Sequence, residues 1–154
     1  MVYIILALLT GLLCYADLYC KSWIEKHLRK GDREKVGKTS FEMRRVHNKG
    51  FAMNLCDKKP EYVRIVSVVI CTIMAIWALV DWKKESCPVK RIAAAFVLAG
   101  AISNTYDRMK REYVVDYIGV KTKCEKLNRI TFNLADVFIF IGAVGYAIAE
   151  VFGE

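Results

Sequence analysis

No Cys-x-x-Cys pair occurs among the six cysteines, and the chain holds only two histidines, His27 and His47. Zinc sites need a richer ligand set, so no metal site is expected. Neither histidine lies in a Ser or Cys nucleophile motif of the acyl-enzyme hydrolases. A cleavable leader is not expected either. No basic stretch precedes Val2, no small-x-small step follows the first apolar block, and Leu13 precedes Cys14 where a lipid-attachment site needs a small residue. The first apolar block therefore reads as a retained helix. Internal repeats and low-complexity tracts are also missing.

What the 154 residues do contain is an uneven partition: 55% are hydrophobic, yet 26% are charged. The apolar residues gather in blocks at 1–16, 65–80, 92–106 and 130–149, the last interrupted only by Asp136. Each uncharged run is shorter than the roughly 20 residues of a spanning helix. Flanking Arg64, Lys90 and Arg91 can extend the usable span by reaching toward headgroups. The fold class expected is an all-α membrane protein, one domain over 1–154, with helices near 2–24, 61–82, 89–109 and 131–152. A soluble four-helix bundle is the alternative that composition leaves open.

Four spans place connections 25–60 and 110–130 on one side, and both termini with the 83–91 turn on the other. In the first connection, 46–55 is apolar with Gly50 and is expected to pair as short strands, whereas 25–45 is highly charged and carries no structural expectation. Cys56 and Cys124 fall on the same side, which leaves a disulfide open. The net charge of +8 lies in loops beside apolar blocks and suits anionic lipid headgroups better than nucleic acid. Lysines and arginines number 11 in the first connection, 6 in the second and 4 in the turn, a bias that by itself would put the long connections in the cytoplasm.

Ionisable groups in apolar helices are costly and mark function. Asp136 is the clearest case, six residues into the expected last helix, with Asn133 at i−3 on its face and small Ala135 beside it. Asn104, Asp107 and Arg108 cluster on one side of the third helix end. Asp116 stands alone in Tyr113-Val-Val-Asp-Tyr-Ile118. Asp17 and Lys21, at i,i+4, suit mutual neutralisation and organise the first helix end. His47 and Asn48 precede Gly50; His47 as a base is conceivable but has no nucleophile partner.

These residues fall into four stretches: Asp17-Leu-Tyr-Cys-Lys21, His47-Asn-Lys-Gly-Phe-Ala52, Gly100-Ala-Ile-Ser-Asn-Thr-Tyr-Asp-Arg108 leading to Val114-Val-Asp116, and Phe132-Asn-Leu-Ala-Asp136. In order and spacing they resemble lipoprotein signal peptidase (signal peptidase II) over nearly the whole chain. The resemblance implies a four-helix membrane aspartyl peptidase with an extracytoplasmic, partly β subdomain after the first helix. Such an enzyme cleaves diacylglyceryl-modified prolipoproteins on the amino side of the lipidated cysteine. It also implies Asp116 and Asp136 as catalytic residues, supported by Asn48, Gly50, Asn104, Asp107, Arg108, Asn133 and Ala135 and by the pair Asp17 and Lys21.

No metal or organic cofactor is implied. The partners implied are the prolipoprotein and membrane lipids, not nucleic acid, with the chain a monomer. The setting the resemblance implies is the bacterial inner membrane, multi-pass, termini cytoplasmic and active site near the outer face. Four positions depart from the family pattern: Ser103 and Glu112 stand where glycine is usual, Leu18 replaces a common Gln, and Val137 replaces a small or hydroxyl residue. Two rival readings are a non-enzymatic lipid- or lipopeptide-binding relative and a small transporter accessory, whose polar groups would sit near mid-bilayer on several helices.

Overall fold

Both prolines of the chain stand at helix starts, where a missing N–H costs nothing and the fixed φ favours the first turn. Pro60 opens α2 (Pro60–Lys83) and Pro88 opens α3 (Pro88–Lys110). They are preceded by α1 (Val2–His27), which stops where Leu28 turns extended. A computed structural model describes residues 1–51, 54–83 and 87–152. Ala52 of the second motif and residues 84–86 of the turn lie outside the described residues. The remaining elements are β1 (Arg33–Lys35), β2 (Phe41–Asn48), β3 (Val114–Val120), the short α4 (Glu125–Asn128), β4 (Thr131–Phe132) and α5 (Leu134–Phe152).

The long helices wear their apolar residues outward. Leu8, Leu12, Ile76 and Phe140 are all more than half exposed. Helices α1, α2 and α5 are each long and apolar enough to cross a membrane, with only 17% of the apolar window of each buried. A soluble bundle would bury those stripes, so this alternative fails. α3 is different. It packs against α1, α2 and α5, and its buried face is built from Ala93, Ala94, Ala95, Ala99 and Gly100 with the polar Ser103, Asn104 and Asp107. A helix that meets protein on several sides needs small residues more than greasy ones. Among the described residues composition therefore marks three of the four expected spans and leaves α3 unmarked.

Small residues set how closely α3 and α5 approach. A Cβ on Gly100 would collide with the backbone carbonyl of Ala135, and one on Gly142 with that of Ala93. The helix backbones thus meet at Ala135, where the missing side chain is that of Gly100.

The two long connections meet in one antiparallel sheet of order β1-β2-β3-β4. Here the structure departs from the sequence reading. The strands lie within 33–48, in the charged stretch that carried no expectation, and only the end of β2 reaches into 46–55. The second connection supplies β3, which no periodic signal marked because its residues 114–117 are buried and do not alternate. β2 and β3 pair Val46 with Asp116 and Asn48 with Val114, with an irregularity between Met43 and Val46. Cys56 and Cys124 are free and exposed.

Candidate active site

Asp116 lies on β3 and Asp136 in the first turn of α5, and both line one cavity of about 440 Å³. Three asparagine amides hold them. Asn133 Nδ2 donates to Asp116 Oδ1 at 2.8 Å, and Asn48 Nδ2 to Asp116 Oδ2 at 3.1 Å. Asn104 Nδ2 donates to Asp136 Oδ1 at 2.9 Å.

Each amide is oriented by a group that can only donate. Asn48 Oδ1 accepts the Gly50 N–H, Asn133 Oδ1 accepts the Asp136 N–H, and Asn104 Oδ1 accepts the Lys21 ammonium at 2.8 Å. The NH₂ ends must then face the carboxylates. These bonds favour the ionised form of Asp116, but burial and the neighbouring Asp136 charge outweigh them. The Asp116 carboxyl is pushed up to about 7.

The spacing reading puts Asn133 inside the last helix. The structure puts it one residue ahead of α5, because the strand β4 runs to Phe132. Asn133 Oδ1 takes the Asp136 N–H, and Asp136 Oδ2 takes the Asn133 N–H at 3.1 Å. This is a capping box with Asp in place of Glu. Asp136 is the third residue of α5, shallower than the sixth position expected.

The cluster Asn104, Asp107 and Arg108 divides. Asn104 and Arg108 line the cavity, whereas Asp107 is fully buried behind it. Asp107 Oδ2 accepts the Val115 N–H at 3.2 Å and pairs with Lys21 at 3.3 Å, anchoring the strand one residue before Asp116. Arg108 donates to the Gly50 carbonyl at 2.9 Å, and its guanidinium lies 6.0 Å from the Phe51 ring centroid. Gly50 has no room for a side chain, since a Cβ would strike the Asn54 and Leu55 backbone.

Asp17 and Lys21 form a fully buried ion pair at 2.7 Å. Ser103 donates to Asp17 at 2.6 Å, so the hydroxyl that stands in place of glycine completes the pair's polar shell. Tyr117 was missed by sequence reasoning. Its hydroxyl donates to Asp17 at 3.0 Å and accepts the Leu134 N–H, tying α1 and β3 to the start of α5. Burial and Asp17 push that hydroxyl far above the usual tyrosine range. Nothing in its spacing marks it. His47 does not line the cavity. Its Nε2 lies 2.7 Å from Glu25, and its ring stacks on Tyr113, which removes it as a base for this site.

Glu112 ends the α3 turn at φ 64, in the left-handed region where glycine is at ease. Its side chain is exposed and only 4.0 Å from Arg64, too weak a pair to compensate. Glu112→Gly should relieve about 1–2 kcal/mol of backbone strain and give back about half through chain entropy. We expect a melting temperature in detergent a few degrees higher. An unchanged or lower value would mean that the turn carries no strain.

Comparison with known proteins bears on this geometry. Residues 9–152 match the family described as Signal peptidase (SPase) II. The lipoprotein signal peptidase of Fusobacterium nucleatum is 32% identical over 99% of this chain and 87% of its own length. That of Clostridium novyi is 30% identical over 86% of this chain and 87% of its own. A solved bacterial membrane enzyme superposes with a TM-score of 0.82 at 23% identity, covering 95% of this chain and 87% of that one, which shows a shared fold. The chain therefore belongs to the signal peptidase II family of peptidases.

Proposed function

We propose that the protein is an aspartyl endopeptidase that removes signal peptides from diacylglyceryl-modified prolipoproteins, cutting on the amino side of the lipidated cysteine. The observation that carries this reading is the pair Asp116 and Asp136 in one cavity, each held by donors fixed in orientation. The cavity continues along Ile139, Phe140 and Ala143 of the outward-facing α5, a path for an acylated substrate that remains in the bilayer.

Two carboxylates in one partly buried site share a proton. The ionised partner draws a proton from water. The protonated partner polarises the scissile carbonyl and then donates to the leaving amine. The pair titrates as a unit, so neither residue is assigned as the acid. Arg108 lines the same cavity, and its buried Nε–H has no partner among the described residues. It is suited to hold a substrate carbonyl. Two-carboxylate hydrolysis requires no metal or organic cofactor. The test is a gel-shift cleavage assay on a diacylglyceryl-prolipoprotein in lipid vesicles; failure to cleave in folded protein would remove the enzyme reading.

The same proposal has α3 crossing with α1, α2 and α5, so that four spans put the termini in the cytoplasm of a bacterial inner membrane and the sheet outside. It takes the protein as a monomer that binds its prolipoprotein and lipids but not nucleic acid. Exposed Cys56 and Cys124 allow a test of orientation. A membrane-impermeant thiol reagent should label both in intact cells after mild reduction and spare Cys87. Labelling of Cys87 alone would invert the topology.

A further inference from the structure

The cavity at the aspartates does not end there. A second lobe of about 330 Å³ shares Asn48, Asp116, Ile130 and Thr131 with the first, so the two adjoin at Asp116. The lobes differ in kind. The first runs down the lipid-facing surface of α5. The second has no α5 residue in its wall; it is closed by Val46, Asn54 and Arg129. Arg129 is its only cationic lining residue among the described residues.

The wall that presents Arg129 is tied down. Arg44, itself buried, donates to the Asn128 carbonyl at 2.6 Å. The Asn128 side chain closes the preceding loop by accepting the Thr122 N–H at 2.6 Å and donating to the Thr122 carbonyl at 2.7 Å. β4 begins two residues after Arg129. The guanidinium is thus carried by a short segment fixed on both sides and opens to solvent.

We propose that Arg129 is a specificity-determining residue that selects a carboxylate side chain in the first soluble residues beyond the scissile bond. This rests on the peptidase reading above. A substrate of that class is apolar on one side of the cut, where acyl chains and signal segment stay in the membrane, and water-soluble on the other. The α5 lobe suits the first part, which leaves the Arg129 lobe for the second. A guanidinium offers a planar fork of donors matched to a carboxylate. Asp116, held up near 7, carries reduced negative charge at neutral pH and does not cancel Arg129.

The test uses the full-length protein in vesicles and three prolipoproteins differing at the second residue after the cysteine: Asp, Asn and Lys. At low salt the wild type should cleave them in the order Asp, Asn, Lys, with kcat/KM about two- to fivefold apart at each step, as an exposed charge pair allows. Arg129→Gln should flatten the series and Arg129→Glu should invert it. Ratios between substrates within one variant cancel any loss of folded protein. Equal rates in the wild type, or an order unchanged in Arg129→Glu, overturn the assignment while leaving the peptidase intact. Cleavage of none of the three by folded wild type overturns the peptidase reading and this inference together. The same anionic chemistry could come from a lipid phosphate. If varying anionic lipid moves the Arg129→Glu rate while substrate order stays fixed, Arg129 serves the membrane and the substrate assignment is wrong.

Discussion

Asp116→Asn and Asp136→Asn are each expected to lower the cleavage rate at least about a thousandfold in protein that still folds, because neither half of an acid–base pair can do the work of both. The stability side of this result is specific. In the unfolded chain Asp116 ionises near the ordinary carboxylate value of 3.8, whereas in the fold it holds its proton up to about 7. The folded state binds more protons between those values, so the contribution of Asp116 to stability is full below about 4 and lost as pH rises to about 7. The rise from 3.8 to about 7 corresponds to on the order of 4 kcal/mol. Asp116→Asn lacks that burden, though the new amide meets two donors, Asn48 and Asn133, and accepts from only one. Its melting temperature at pH 8 should be no lower than that of the wild type. Wild-type activity should decline through pH 7 and above, as the pair loses its shared proton. Substantial turnover by either variant would remove that residue from the chemistry, and an Asp116→Asn protein that melts well below wild type at pH 8 would show that the carboxylate is structural.

Lys21→Met should be the most damaging single change to the fold. Lys21 is fully buried on α1, pairs with Asp17 at 2.7 Å and Asp107 at 3.3 Å, and donates to Ser103 and Asn104. Its removal leaves buried Asp17 without its cation and buried Asp107 with Arg111 alone, at 3.3 Å, a loss of about 3–5 kcal/mol. It also frees the Asn104 amide, whose orientation toward Asp136 depends on that ammonium. Unfolding in denaturant should shift accordingly, with near-complete loss of cleavage in whatever folded protein remains. A rescue by Lys21→Arg is not expected, because no space is left for a larger head. Retention of wild-type stability in Lys21→Met would mean that Asp17 and Asp107 are satisfied by other means.

Much of this site was legible because costly residues stand out against apolar surroundings. Asp136, Asn104 and the pair Asp17 and Lys21 are polar groups in or beside blocks that otherwise exclude them, and the four motifs identified the family that the comparison shows. Tertiary contact decided what spacing could not. Asn133 at i−3 from Asp136 fits a helix face, yet it caps the helix because β3 pairs with β4 and delays the helix start. Asp107 and Arg108 adjoin in sequence, but one is buried beside Lys21 and the other lines the cavity. The strands were hidden for a different reason: charged 33–45 lacks clean alternation, and 114–117 is buried on both faces. The low hydropathy of α3 reflects packing against three helices, a property that no single segment displays.

Asp136 occupies the first turn of α5, and a helical turn climbs about 5.4 Å. On the proposed orientation the cutting edge therefore has a fixed altitude, within one turn of the level where the chain leaves water. On that reading the protein would act as a gauge of how far a bond stands from its lipid anchor. A substrate whose bond rides higher must be drawn down, and one whose bond lies deeper must be lifted, before either aspartate can reach it. The setting of that gauge is angular as well as vertical. Deleting a single residue between Asn133 and Asp136 would raise the carboxylate by about 1.5 Å and swing it about 100° around the helix, away from the cavity altogether.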